Sequence, residues 1–127
     1  MAGNLNYLEL EDLRAYKISF DISNFIWEII ISWKYFEKNT LGSQFVRAVD
    51  SISANIAEGY GRYGKREKIY FYRISYGSLK ESIDWAKKSK ERQLLTEDSF
   101  KHIMEELSKL LKEIKYLIRY TNEKLSH

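Results

Sequence analysis

No proline occurs anywhere in the 127 residues. Turns and sheet edges recruit proline, whereas helix interiors exclude it because it removes a backbone donor and clashes with the preceding turn. Glycine is almost as scarce. Past Gly3 it occurs only at Gly42, Gly59, Gly61, Gly64 and Gly77, and three of these five fall within one short stretch. A chain so thinly punctuated predicts long helices joined by a few short turns.

Apolar spacing points the same way. Phe100, Ile103, Leu107, Leu110, Ile114 and Leu117 recur at alternating steps of three and four, one helical stripe. Met104, Leu111, Ile118 and Leu125, each seven residues apart, widen it. Thr96 followed by Glu97 and Asp98 supplies an N-cap and an acidic first turn. Ile69, Tyr72, Tyr76, Leu79, Ile83 and Ala86 form a second seam. Phe45, Val49, Ile52 and Ile56 form a third, ending where Gly59 is expected to take the left-handed cap conformation. The first helix carries two stripes, one through Leu13, Tyr16, Phe20, Trp27 and Ile31, the other through Ile18, Ile22, Phe25, Ile29, Trp33 and Phe36. Four helices are expected, near 10–38, 42–59, 65–92 and 97–124, in a single domain over residues 1–127. Short connections make sequential helices antiparallel neighbours, so the expected fold is an all-α, antiparallel up-down four-helix bundle.

Several functions are set aside by composition. A hydrophobic fraction of 44% and a charged fraction of 31% suit a folded soluble domain. The longest apolar run, Ile29-Ile30-Ile31, falls far short of the ~20 residues of a membrane span. The opening MAGNLNYLELED has neither a basic start nor an apolar signal core, and cysteine is absent, so the expected location is the cytoplasm. Two histidines, His102 and His127, are too few for a histidine-based metal cluster. The serines lack a base other than His102, which falls on the polar shoulder of the fourth helix. Carboxylates such as Glu106 and Glu113 sit at helical spacing from Lys109 and read as charge-paired faces. No catalytic residue, metal or cofactor is expected.

Gly59, Gly61 and Gly64 spell G-x-G-x-x-G, the spacing of a dinucleotide fingerprint. That motif needs a buried strand before it and a helix after it. The preceding FVRAVDSISANIAEG has helical period, so Gly59 to Gly64 reads as the turn between helices 2 and 3. Cations surround that turn: Arg62, Lys65, Arg66 and Lys68 lie at the start of helix 3, and helix N-termini attract anions. Lys87, Lys88, Lys90 and Arg92 crowd its other end. Residues 34–73 hold eight bases and four acids, whereas 1–33 hold two bases and five acids. The two clusters are the candidate nucleic-acid contacts, for RNA or DNA. Tyr60, Tyr63, Tyr70 and Tyr72 either stack on bases or pack.

Two polar residues belong to a candidate structural network. Asn55 lies beside the apolar stripe of helix 2 and is expected to bond backbone or polar side chains of a neighbouring helix. Glu58, disfavoured by the helix dipole near a C-terminus, calls for an arginine, either Arg62 or Arg73.

Helix 1 calls for company. Its middle, Phe25 to Trp33, is apolar almost all round, and a four-helix bundle leaves the outer surface of each helix in water. Such a patch would exceed what monomers usually expose, so a homo-oligomer is expected, with Phe25, Trp27, Ile29 and Trp33 in its interface.

The stretch Phe45 to Gly59, above all SISANIAEG from Ser51 to Gly59, resembles the bacterial four-helix-bundle proteins named for 23S rRNA intervening sequences, also labelled S23 ribosomal proteins. Leu10 to Ser23 looks like that family's first helix, and Gly77 to Ser82 is similar to its small-residue segment in helix 3. The proline that members often carry before helix 2 is missing; Asn39 to Ser43 stands there. The resemblance implies a bundle assembled as a ring-like homo-pentamer. It also implies similarity to the accessory variability determinant of diversity-generating retroelements, a basic bundle that binds nucleic acid and works with a reverse transcriptase. It brings no catalytic residues. The expected function is therefore a non-enzymatic, nucleic-acid-associated scaffold, with a protein–protein adaptor as the alternative.

Overall fold

In the computed structural model, which describes residues 9–127, four long helices and no strand occur among the described residues. A short turn, Leu10–Asp12, leads into α1 (Arg14–Ile30); α2 spans Ser43–Tyr60, α3 Lys65–Glu91 and α4 Glu97–Lys124. Residues 1–8, which the 1–127 span and the reading of the N-terminus include, lie outside the described residues.

The stripes expected of helices 2, 3 and 4 form the core. Of the two expected of helix 1 only Ile22 is buried, joined by Ile26 and Ile30, while Phe20, Trp27, Ile31 and Phe36 are exposed, because the core-facing side of α1 lies between the two stripes. Ile22, Ile26 and Ile30 of α1 meet Phe45, Val49, Ile52 and Ile56 of α2, Tyr72 and Leu79 of α3, and Ile103, Leu107, Leu110 and Ile114 of α4. Burying each such side chain is worth about 1.5–3 kcal/mol relative to leaving it in water. α1 and α3 both pack on α2 and α4, so the helices stand at the corners of a square. Ser51 meets Ser78, Ser75 meets the Ile52 carbonyl, and Lys68 meets the Tyr60 carbonyl, so contacts that climb α2 descend α3. Arg14 with Glu113 and Phe25 with His102 repeat that order between α1 and α4.

The first helix is shorter than its apolar pattern implies. α1 stops at Ile30 rather than near Lys38, and the chain restarts at Tyr35–Glu37. It then runs through a π-helical turn, Lys38–Gly42, directly into α2, so the second helical segment begins well before residue 42. At the break the half-buried Trp33 indole donates to the Leu94 carbonyl at 3.2 Å, in the α3–α4 connection, and the Ser32 hydroxyl donates back to the Ile29 carbonyl at 2.6 Å. Gly42 belongs to the same join, since a Cβ there would lie 2.8 Å from Cγ2 of Ile30.

Gly59 is also corrected. It is helical with negative φ, and α2 continues through it to Tyr60, so the turn proper is Gly61 to Gly64. Its missing side chain admits the Tyr72 ring instead. The seam beside it is lined with small residues. Buried Ser75 donates to the Ile52 carbonyl at 2.8 Å, and Ser51 and Ser78 share a hydrogen bond of 2.8 Å. At the end of α3 the left-handed position falls to Gln93, φ 62°, with Leu94 N–H bonding the Ser89 carbonyl as a Schellman motif. Thr96 caps α4, accepting from the Ser99 N–H at 3.1 Å.

Candidate nucleic-acid interface

Of the four cations at the start of α3, three are engaged within the chain. Arg62 pairs with Glu58 at 2.7 Å and lies over the Phe71 ring. Lys65 donates to the Asn122 carbonyl at 3.1 Å. Lys68 folds inward and donates to the Tyr60 carbonyl at 2.8 Å, neutralising the C-terminal end of α2; burial lowers its pKa. Arg66 is exposed, with no ion-pair partner among the described residues. At the far end of α3, Lys88 pairs with Asp84 at 2.6 Å and Lys90 with Glu97 at 3.1 Å, while Lys87 and Arg92 project into solvent.

Glu58 finds Arg62, and Arg73 takes no part in that network. Asn55 bonds within its own helix, to the Ser51 carbonyl at 2.8 Å and the Ser51 hydroxyl at 2.9 Å, and reaches α3 only through the Ser51–Ser78 bond. Position 73 points the other way because it follows Tyr72, whose ring enters the core.

Arg73 faces α4. There it lines a groove of about 410 Å³ with Lys115, Arg119 and Asn122, over a floor of Ile69 and Ile118. None of the three cations is ion-paired among the described residues. Along α3, Arg66, Arg73, Lys80 and Lys87 are all exposed and fall seven residues apart, so they form one row down the helix. Lys80, Lys115 and Arg119 were missing from the sequence-derived clusters. The seven-residue step was the available signal for Lys80; nothing local marked the α4 pair, which only the packing of α3 on α4 brings to Arg73.

The tyrosines divide. Tyr63 and Tyr70 are open to solvent, at 94% and 61% exposure, whereas Tyr72 is buried and burial raises its pKa to about 12. Tyr60 and Tyr72 join Tyr116 and Tyr120 around a cleft of about 450 Å³, with Lys68 at its edge. His102 packs its ring edge-on against Phe25 at 4.6 Å between centroids.

The helix 1 surface is rearranged relative to expectation. Phe25, Ile29 and Trp33 pack partly against the core, and of the four interface candidates only Trp27 is exposed, at 48%. Phe20 and Ile31 share its face, and Tyr35 and Phe36 extend the exposed apolar surface past the break. Beside Trp27 runs a groove of about 220 Å³ between α1 and α2, lined by Ile30, Ile31 and Val46. Since α1 and α2 occupy one side of the square and α3 and α4 the other, the Trp27 and Arg73 grooves lie on opposite sides of the molecule.

The family model described as 23S rRNA-intervening sequence protein matches residues 11–116. Among solved structures, a protein of unknown function from the S23 ribosomal protein family of Bacteroides thetaiotaomicron superposes with a TM-score of 0.74 at 18% identity. The match covers 83% of this chain and 98% of that one, a likeness of fold. No curated protein matches the chain. No described helix is long and apolar enough to cross a membrane.

Proposed function

The chain belongs to the 23S rRNA-intervening sequence protein family, and from that premise we propose that it is a non-enzymatic, oligomeric scaffold that associates with nucleic acid. The observation that carries this reading is the row of cations on α3, Arg66, Arg73, Lys80 and Lys87, all exposed and without an ion-pair partner among the described residues. Neutralising phosphates with such a row releases counterions, a driving force that needs no base recognition. The protomer is an antiparallel up-down bundle, as its opposed contact order supports. It assembles through the exposed apolar face of α1, and the ring-like pentamer implied by family resemblance is the assembly proposed. A cytoplasmic setting with RNA, DNA or a reverse transcriptase as partner fits this scaffold.

The test is fluorescence anisotropy of labelled RNA across a salt series. Binding should weaken steeply between about 50 and 200 mM salt. Absence of binding at the lower salt overturns the nucleic-acid role. The exposed apolar row of Phe20, Trp27 and Ile31 favours a second reading, a protein–protein adaptor, whose docking would be insensitive to salt.

A further inference from the structure

We infer that the groove between α3 and α4 is the seat of double-helical nucleic acid, held by its backbone phosphates through Arg73, Lys115 and Arg119. The inference rests on the nucleic-acid reading above and goes further by naming the site and the form of the ligand. It moves the contact away from the α2–α3 turn, where Arg62, Lys65 and Lys68 are already engaged with Glu58, Asn122 and Tyr60.

Three features of the groove select the ligand. First, its polar lining is cationic: Arg73, Lys115 and Arg119 converge from two helices with only Asn122 beside them. Glu123, one turn beyond Arg119, is not within ion-pairing distance of any of them. Second, the groove offers no platform for unstacked bases. Its floor is Ile69 and Ile118 and no ring lines it; Tyr116, 53% exposed, opens on the cleft it shares with Tyr120, and the exposed Tyr70 lies outside the groove. Single strands are gripped by successive open rings, so the lining favours a ligand that presents phosphates and keeps its bases stacked. Third, the α3 row continues the charge beyond the groove. Seven residues of helix rise about 10 Å, so Arg66 to Lys87 spans about 30 Å of rigid rod. A straight, stiff array of that length matches a stiff duplex better than a flexible strand. Bases are not read, so binding is independent of sequence.

The experiment compares two triple variants of the full-length protein against an RNA duplex of about 20 base pairs, a DNA duplex and the single strands, each over a salt series. Arg73→Gln, Lys115→Gln and Arg119→Gln together should weaken duplex binding about tenfold or more and flatten the log–log salt slope by about 1 per lost contact. Lys17→Gln, Lys101→Gln and Lys109→Gln together remove the same charge from exposed positions outside the groove and outside both α3 clusters, and should leave affinity within about twofold. Circular dichroism and sedimentation should show that both variants keep helix content and mass, and a variant with Arg73→Lys and Arg119→Lys should keep most of the binding. Equal weakening by both triples overturns the groove and leaves the nucleic-acid role standing. Tighter binding of single strands than of duplex overturns the form of the ligand. Failure of the unmodified protein to bind any of the probes overturns the nucleic-acid reading itself, and this inference with it.

Discussion

A Cβ on Gly59 would lie 2.7 Å from Cε1 of Tyr72 and 3.0 Å from the Lys68 carbonyl oxygen, so the residue is a contact surface for α3. Gly59→Ala gains helix propensity but must push the Tyr72 ring or the α3 backbone aside. A net loss of about 1–3 kcal/mol in urea unfolding is expected. Tyr72 itself ties stability to pH. Its folded-state pKa, about 12, stands above the ordinary 10.0, so its contribution is complete below pH 10 and is lost as pH rises toward 12. The sum is about 2–3 kcal/mol. Unfolding free energies at about pH 9 and about pH 11.5 should therefore fall further for the natural protein than for Tyr72→Phe; parallel falls would remove Tyr72 from the account. Thr96 was legible in the sequence because an N-cap needs only its own side chain and the next turn. Gly59 was misread because a glycine after a helical stripe signals either a cap or a close approach, and only the partner helix decides which.

At the scale of elements, α2, α3 and α4 follow their apolar periods closely, because burial of one face is a local property of the sequence. The end of α1 does not. From Ile29 to Lys38 the chain holds no glycine or proline, and its apolar residues continue in helical register past the break. At the break the Trp33 indole bonds the Leu94 carbonyl, 61 residues away, a partner that no local pattern reveals. Trp33→Phe keeps most of the packing and removes the donor, leaving a carbonyl without its partner. A loss of about 1 kcal/mol is expected, with faster amide exchange around Leu94 and Leu95. Unchanged exchange there would mean the bond does not hold the join. The candidate interface was legible to a similar degree. Charge density on α3 is a sequence property, but which lysines are spent on Asp84, Glu97 or the Tyr60 carbonyl depends on three-dimensional neighbours.

For the whole molecule, the arrangement keeps the two proposed surfaces apart. One side of the square, α1 with α2, presents Phe20, Trp27 and Ile31; the other, α3 with α4, presents unpaired cations. Burying the apolar side between copies leaves every cationic groove facing away from the interface. In the assembly proposed, several weak phosphate sites would act on one duplex, and linked sites bind far more tightly than any one alone. Sedimentation velocity of the protein with a labelled RNA duplex, at about 50 and about 200 mM salt, tests both surfaces at once. At low salt the RNA should travel with a protein assembly several times the 15.2 kDa chain mass. At the higher salt the RNA should be released while the assembly persists. A 15.2 kDa protein that sediments alone, beside RNA whose sedimentation is unchanged at low salt, would contradict the proposed function.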